Sequence, residues 1–489
     1  MSSASNKNTS YYRIVIIGAG PGGICAAKKL LDLGIDDFVM LERSPKPGGT
    51  WQNNRYPGLQ LDTLSVAYGF SFYRRHDWTR TYALQPEVRT YVQACIDQFG
   101  LESYIRCNTA VMGAHWEEAN ARWRLDIAGG DSVTADIVIS ALGMFNEIRW
   151  PDIPGREDFK GELLHTAQWP EGKSVTGKRV AVIGSAASAV QMIPVLAKEV
   201  AHLDVYQRTA NWVMPLEDRD FLKEERENFR ANSSEGQAFR SEYLEMIERV
   251  LTFSDAEIMP QLRQDALNNL AQVKDPLTRE KLTPQVPLGS QRPLFNNDFY
   301  PAFNRPNVSL ITDPIARFTE RGLETADGVE HPADIVICAT GYAANKFLSV
   351  IDVTGREGVA IKDAWAEGPR AYLGITMSGF PNLFMLYGPN TNNGVIPIML
   401  ESQVDYILRK ITGMSREGLK WIDVKRSVLD EYNEQVQKDI AAVEAWQAVG
   451  SKYYRVASGL IVTQCPYGMV EYREKTSVDD LSNFETCLV

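Results

Sequence analysis

Short, continuous apolar runs ending in glycine or small residues recur along the chain. Ile14-Val15-Ile16-Ile17 leads into Gly18-Ala19-Gly20-Pro21-Gly22-Gly23, and Val180-Ala181-Val182-Ile183 leads into Gly184-Ser185-Ala186-Ala187-Ser188-Ala189. Two more runs, Asp136 to Gly143 and Asp334 to Tyr342, follow the same plan. Such runs, bounded by glycine, are expected of parallel strands covered on both faces. The pattern predicts a strand over 12–17, a helix from Pro21 to about Leu33, and a strand over 38–41 that ends at Glu42. Meanders are expected over 110–127 and over 308–325, the latter followed by the turn Ala326-Asp327-Gly328. The fold class is α/β, with two Rossmann-like dinucleotide-binding domains that share one plan and suggest duplication.

Residues from about Leu216 to Leu288 break the pattern. They are rich in Glu, Arg, Gln and Leu without strand alternation, and read as an inserted set of helices. Such an insert could cap a substrate pocket or serve as a packing or dimer element. The expected division is a first nucleotide domain over 11–147 and 345–489, a second over 148–215 and 289–344, and the helical insertion over 216–288.

The residue 24 positions after the first glycine differs between the turns: Glu42 in one and Arg208, followed by Thr209, in the other. A carboxylate there accepts hydrogen bonds from ribose hydroxyls and repels a 2′-phosphate; an arginine attracts that phosphate. The first turn, with Gly18, Gly20 and Gly23, lets the backbone approach a pyrophosphate at a helix N-terminus. The second has Ala186 and Ala189 where the second and third glycines are expected; Ala186 sets a methyl group near the phosphates. One chain with an FAD- or NAD-like and an NADP-like site points to a flavin reduced by NADPH.

Bulk properties narrow the class. The chain has 489 residues, 44% of them hydrophobic, and a net charge of −11, which argues against nucleic acid or an anionic membrane as partner. No apolar stretch has the length of a membrane helix, and Met1 to Ser10 read as a loose polar tail. A cytoplasmic location is expected. Six dispersed cysteines form no C-x-x-C pair and five scattered histidines no H-E-x-x-H spacing, so no redox dithiol and no metal site are expected. Oligomeric state leaves no mark on the sequence.

Two further segments carry the chemistry. Gly48-Gly49-Thr50-Trp51, Tyr56-Pro57-Gly58 and Asp62 follow Glu42, and Phe159-x-Gly161-x-x-x-His165-x-x-x-Trp169-Pro170 lies between the two units. With both turns, these positions resemble the type I (class B) flavin-dependent Baeyer–Villiger monooxygenases, from about Arg13 to Tyr472. The fold implied is of the flavin monooxygenase/disulfide reductase type. The resemblance implies FAD, NADPH and O₂, and oxidation of a small-molecule ketone to an ester or lactone through a C4a-peroxyflavin. It implies that Glu42 holds the FAD ribose, that Thr50, Trp51, Asp62 and Tyr68 line the flavin, and that Val111 touches the adenine end. Gly184, Ser185, Ala186 and Ser188 are implied to cradle the NADPH pyrophosphate, with Arg208 and Thr209 on the 2′-phosphate. Arg292, in Gln291-Arg292-Pro293, matches the active-site arginine, which Asp62 is expected to aim. Tyr387 to Thr391, including Asn390, is implied to return the chain to the flavin, and His165 to couple the domains rather than to move a proton. Trp150 and Trp169 read as packing around this linker.

Gln291 stands where the family usually has lysine, which lowers the expected preference for NADPH. Cys465 stands where a tryptophan is common, with a looser closing loop or a larger pocket as the expected consequence. Two other readings share the turns: an N- or S-oxygenating flavin monooxygenase, and a non-catalytic regulatory flavoprotein that binds FAD and NADP.

Overall fold

The computed structural model describes residues 9–75, 77–231, 234–448 and 454–488. The first strand, Thr9–Ile17, begins earlier than its apolar core requires. Thr9 and Ser10 pair with Ser132 and Val133 on the neighbouring strand, so the polar tail ends sooner than the sequence suggests. Exposed residues there alternate with half-buried ones, whereas Ile14 to Ile17 are buried on both faces. Residues 1–8 lie outside the described residues.

The helix Pro21–Asp32 follows, with proline in its first turn. It turns Ile24, Ala27 and Leu30 onto the sheet and stops before Gly34, whose φ of +71° ends it. Burying a side chain such as Ile24 or Leu30 contributes about 1.5–3 kcal/mol.

The first sheet has eight strands. Across it run Asp352–Thr354, Val111–Glu117, Arg122–Ile127, Ser132–Ser140, Thr9–Ile17, Phe38–Leu41 and Ile105–Arg106, and Leu383–Met385 also pairs with Ser132–Ser140. The last four strands in that run are parallel to one another, and Val111–Ser140 forms the antiparallel meander. Both strands beyond residue 345 that join a large sheet join this one.

The second sheet is wholly parallel: Val308–Ile311, His202–Tyr206, Arg179–Ile183, Ile335–Cys338 and Glu162–His165. Here the sequence reading needs correction. Val308–Ile311 does not open a meander but covers the edge of His202–Tyr206; the meander is Ile315–Phe318, Gly322–Thr325 and Glu330–Pro332. The bare edge of a parallel sheet exposes unpaired backbone groups, and Val308–Ile311 satisfies them.

Between the paired pieces Val213–Met214 and Leu294–Phe295 the chain makes four helices: Lys223–Arg230, Ser234–Val250, Met259–Leu270 and Pro276–Lys281. The side-chain amide of Asn269 ties the third helix to the carbonyls of Val213 and Asn296 (3.0 and 3.2 Å). Leu244 and Ile247 of the second, with Leu251 just past its end, pack against a cluster that includes Val395, Met399, Met469 and Tyr472. Glu248 accepts hydrogen bonds from the N–H groups of Met469 and Val470 (3.0 and 3.3 Å) and so caps the helix Met469–Ser477.

Candidate active site

The first glycine turn is shaped by close backbone approaches. Gly18 has φ +105°, and a Cβ on it would lie 2.8 Å from the carbonyl oxygen of Ala141. A Cβ on Gly23 would lie 2.1 Å from the Gly18 oxygen. Gly20 needs no left-handed backbone (φ −82°); there the constraint is Gly49, whose Cα would stand 3.3 Å from an added Cβ. Gly48 donates to the Ala19 carbonyl (2.9 Å), which brings the loop before Thr50 over the turn. No side chain caps the N-terminus of the Pro21–Asp32 helix.

Glu42 is buried at the end of its strand beside this turn. One carboxylate oxygen accepts from Ala19 N–H (2.9 Å) and the other from Ser44 N–H (2.8 Å). The Glu42 carbonyl accepts from Thr109, so buried Val111 lies close by at the start of the next strand. Thr50 opens a one-turn helix, Thr50–Asn53. In it the Trp51 indole N–H donates to the Tyr68 hydroxyl (2.7 Å), with the rings edge to face at 5.7 Å.

The second turn repeats the first. Gly184 has φ +112°, and a Cβ on it would meet the Ala339 oxygen at 2.7 Å. Ala186, exposed, is the N-cap of the helix Ala187–Glu199, and Ala189 is fully buried against the strand. Ser185 donates to the Thr209 carbonyl (3.4 Å), and Arg208 and Thr209 stand exposed just beyond His202–Tyr206.

The two halves meet at Tyr56-Pro57-Gly58. A Cβ on Gly58 (φ +79°) would lie 2.3 Å from the Gln191 carbonyl oxygen; the Tyr56 hydroxyl donates to the Gln191 side chain (3.0 Å) and also neighbours Ser188. The sequence motif names these residues without revealing that they strut the second nucleotide turn against the first. The Pro-Gly dipeptide was the available signal.

At this seam Arg292 donates to the Asp62 carboxylate across 230 residues. The Arg292 side chain is 43% exposed and that of Asp62 33% exposed, so the pair is open to an incoming molecule. Tyr56 and Tyr387, both buried, lie within electrostatic reach of the pair; burial raises each phenol well above its ordinary value, so both remain neutral. Tyr243, from the second inserted helix, reaches Thr63 and Leu64 beside Asp62.

The Tyr387–Thr391 turn is strained. Tyr387 and Asn390 have φ of +57° and +56°, a conformation that costs about 1–2 kcal/mol for a bulky residue such as Tyr387 and less for an asparagine. Asn390 is fixed by donating to the carbonyls of Ile461 and Gln464 (2.8 and 2.9 Å), and Thr391 by donating to Gly388 (2.7 Å). Asn393 donates to the Cys465 carbonyl (3.0 Å). The Cys465 segment is therefore held by hydrogen bonds rather than by an indole. Its thiol is fully buried among Tyr467, Tyr472 and Met399, and burial pushes it up to about 12, so it stays protonated and inert to oxidants. Gln291 is half-buried beside Arg292.

His165 ends the strand Glu162–His165, and its hydrogen-bond partners are Ala167 and Thr340. Its Nδ1 accepts from Ala167 N–H (3.0 Å), which leaves the proton on Nε2 facing the Thr340 hydroxyl (3.3 Å). The Trp150 ring packs edge-on at 5.0 Å, and Trp169 is buried nearby in the core. Burial pulls the His165 pKa below its ordinary value.

Residues 15–224 match the pyridine nucleotide-disulphide oxidoreductase family. The chain is 37% identical over 479 residues to a Baeyer–Villiger monooxygenase of Pseudomonas aeruginosa, covering 96% of this chain and 91% of that protein. It is 33% identical over 492 residues to a phenazine N-monooxygenase of Lysobacter antibioticus, covering 91% and 90%. Cyclohexanone monooxygenase from Rhodococcus sp. Phi1, solved with NADP⁺, superposes with a TM-score of 0.87 at 30% identity, covering 99% of this chain and all of the other. With two nucleotide turns, no redox dithiol and an arginine–aspartate pair at their seam, the chain belongs to the Baeyer–Villiger monooxygenases, FAD-dependent enzymes that use NADPH.

Proposed function

We propose that this protein oxidises a small-molecule ketone to an ester or lactone, and that the reaction takes place beside the Arg292–Asp62 pair. The open ion pair at the seam of the two turns carries this reading. The residues fit FAD: the Gly20–Gly49 approach leaves a cradle that a single Cβ would fill, next to an uncapped helix start and the Glu42 carboxylate. Gly18, Gly20 and Gly23 would take the FAD pyrophosphate, Glu42 its ribose and Val111 its adenine end, while Thr50, Trp51, Asp62, Tyr68, Asn390 and Thr391 would border the flavin. Gly184, Ser185, Ala186 and Ser188 would take the NADPH pyrophosphate, and Arg208 and Thr209 its 2′-phosphate. Bound FAD, reduced by NADPH, supplies the activated oxygen.

The chain's own groups supply placement and charge. Arg292 remains cationic at every working pH and would stabilise the oxyanion formed when the carbonyl carbon is attacked. Asp62 aims the guanidinium. Tyr56 and Tyr387 stay neutral phenols within electrostatic reach of the pair, so neither adds an anion that competes for Arg292. The assignment of 11–147 with 345–489 to FAD, 148–215 with 289–344 to NADPH, and 216–288 to a cap over the substrate is supported by Tyr243 at Thr63 and Glu248 at Met469. No helix among the described residues is long and apolar enough to cross a membrane, which supports the cytoplasmic reading.

The test is anaerobic reduction of the yellow protein by NADPH, then oxygen with a panel of ketones and a sulfide, for wild type and Arg292→Ala. Ester formation should fall by about 10²–10³ in the variant while flavin reduction survives. Full-rate ester formation by Arg292→Ala would overturn its role. The similarity to a phenazine N-monooxygenase favours a second reading, oxygen transfer to nitrogen. An enzyme that ignores ketones but oxidises an aromatic amine or N-heterocycle would establish it.

A further inference from the structure

Gln403 sits in the middle of the helix Ile396–Glu417 and is fully buried. An amide in such a place needs partners for both ends. Its Oε1 accepts from the backbone N–H of Tyr387 (2.8 Å), and its Nε2 donates to the Tyr472 hydroxyl (3.1 Å). Tyr472, also fully buried, donates onward to the Leu373 carbonyl (2.7 Å). The direction of this relay follows from its ends: an N–H only donates, and a carbonyl only accepts.

The relay joins two turns that share an unusual property. Tyr387 and Leu373 are both non-glycine residues with positive φ, +57° and +54°. The turns stand back to back. A Cβ on Gly388 would lie 2.2 Å from the Gly374 oxygen, and one on Gly374 would lie 2.1 Å from the Thr391 side chain. Left-handed backbone at bulky residues persists only where the surroundings over-determine it, and it clusters at functional sites. The Tyr387 ring is fixed at its far end as well. Its hydroxyl donates to Asn392, whose amide donates to the Gln464 side chain (3.0 Å). This anchored phenol lies within electrostatic reach of Arg292 and Asp62.

We propose that Gln403 is a positioning residue: through its bond to the Tyr387 N–H, braced by Tyr472, it holds the strained Tyr387 turn against the Asp62–Arg292 pair. The consequence for catalysis rests on the function proposed above. With the turn fixed, the wall opposite the guanidinium stays in place and activated oxygen meets the substrate rather than water. With the turn loose, the two electrons from each NADPH reduce O₂ to hydrogen peroxide without product.

Two variants test this in the FAD-loaded protein. Gln403→Met removes both contacts; Tyr472→Phe removes a single hydroxyl and serves where the first fails to retain FAD. Amide hydrogen exchange of the segment 386–393 should become about tenfold faster in Gln403→Met, while helix residues beyond 403 keep their protection. Product formed per NADPH should fall by roughly fivefold, with hydrogen peroxide making up the balance. The KM for NADPH and the rate of flavin reduction should not move. Gln403→Glu, kept protonated by burial, retains an oxygen for the Tyr387 N–H and an O–H for Tyr472, and should restore most of the protection and yield. Unchanged exchange in a folded variant overturns the proposal. So does faster exchange with an unchanged ratio of product to peroxide, which would make Gln403 a support for the fold alone. Failure of the ketone reading shows separately, as wild-type protein that forms no ester from any ketone.

Discussion

Ala186 adopts at the second turn nearly the backbone that Gly20 adopts at the first: φ −89° and ψ −165° against φ −82° and ψ −173°. Neither position needs the left-handed freedom of glycine. Gly20 is crowded instead by its neighbour Gly49, whose Cα would stand 3.3 Å from an added Cβ, whereas Ala186 stands exposed. The missing glycine is thus compatible with a working nucleotide turn. Ala186→Gly is expected to change stability by less than about 1 kcal/mol, because the backbone entropy it adds to the unfolded chain is offset by glycine's preference over alanine at an N-cap. It should change the KM for NADPH by less than about threefold, a difference under 1 kcal/mol. A tenfold gain in NADPH affinity would show that the methyl group obstructs the phosphates after all. Gly20→Ala, in contrast, should reduce the ratio of flavin to protein absorbance after purification.

Asp62→Asn separates aiming from folding. An ion pair this exposed contributes no more than about 1 kcal/mol to stability, so the variant should melt within a few degrees of wild type. Its asparagine still accepts a hydrogen bond but no longer fixes the cation. We expect ester formation to fall by about tenfold to a hundredfold, with flavin reduction by NADPH preserved. A variant that keeps its full oxygenation rate would assign Arg292 an orientation set by other contacts.

The parts of this molecule legible in the sequence are those set by local geometry. Gly18 and Gly184 each sit where the chain leaving a neighbouring strand, Ser132–Ser140 or Ile335–Cys338, passes so close that a side chain would strike Ala141 or Ala339. That requirement is written in the residues themselves, as is the apolar run before each turn. The pairing of the edge strand Val308–Ile311 with His202–Tyr206 is not legible, because a short apolar run carries no record of its partner. Arg292 and Asp62 could be paired only through family resemblance, since 230 residues separate them. Gln403 gave no signal at all, because one polar residue within an amphipathic helix does not show which loop will fold onto it.

Arg208 gives the clearest handle on cofactor choice. It stands exposed at the strand end beside the second turn, next to Thr209. Arg208→Ala should raise the KM for NADPH by about ten- to a hundredfold, the loss of a charge-assisted contact of roughly 1.5–3 kcal/mol. The KM for NADH, which lacks the 2′-phosphate, should stay within about twofold. Equal effects on the two cofactors would remove the arginine from the phosphate site. Gln291→Lys adds a cation beside Arg292 and should sharpen the preference for NADPH in the same assay.

His165 gives a pH dependence whose sign follows from its surroundings. Burial depresses its pKa in the folded protein below the 6.5 of the unfolded chain. Its Nδ1 faces the Ala167 N–H, so a proton there would set donor against donor. Above pH 6.5 the ring is neutral in both states and its stabilising contribution is complete. As the pH falls below 6.5 the unfolded chain takes up the proton first, and stability is lost until the pH passes the folded pKa. Melting temperatures of wild type and His165→Gln, measured from pH 7.5 down to pH 5, should therefore converge as the pH falls, because the variant lacks this titration. Parallel curves would mean that the ring does not resist protonation in the fold. If flavin reduction and oxygenation in His165→Gln keep the pH profile of wild type above pH 6.5, the histidine acts in joining the strand to Thr340 and the linker, and not in moving a proton.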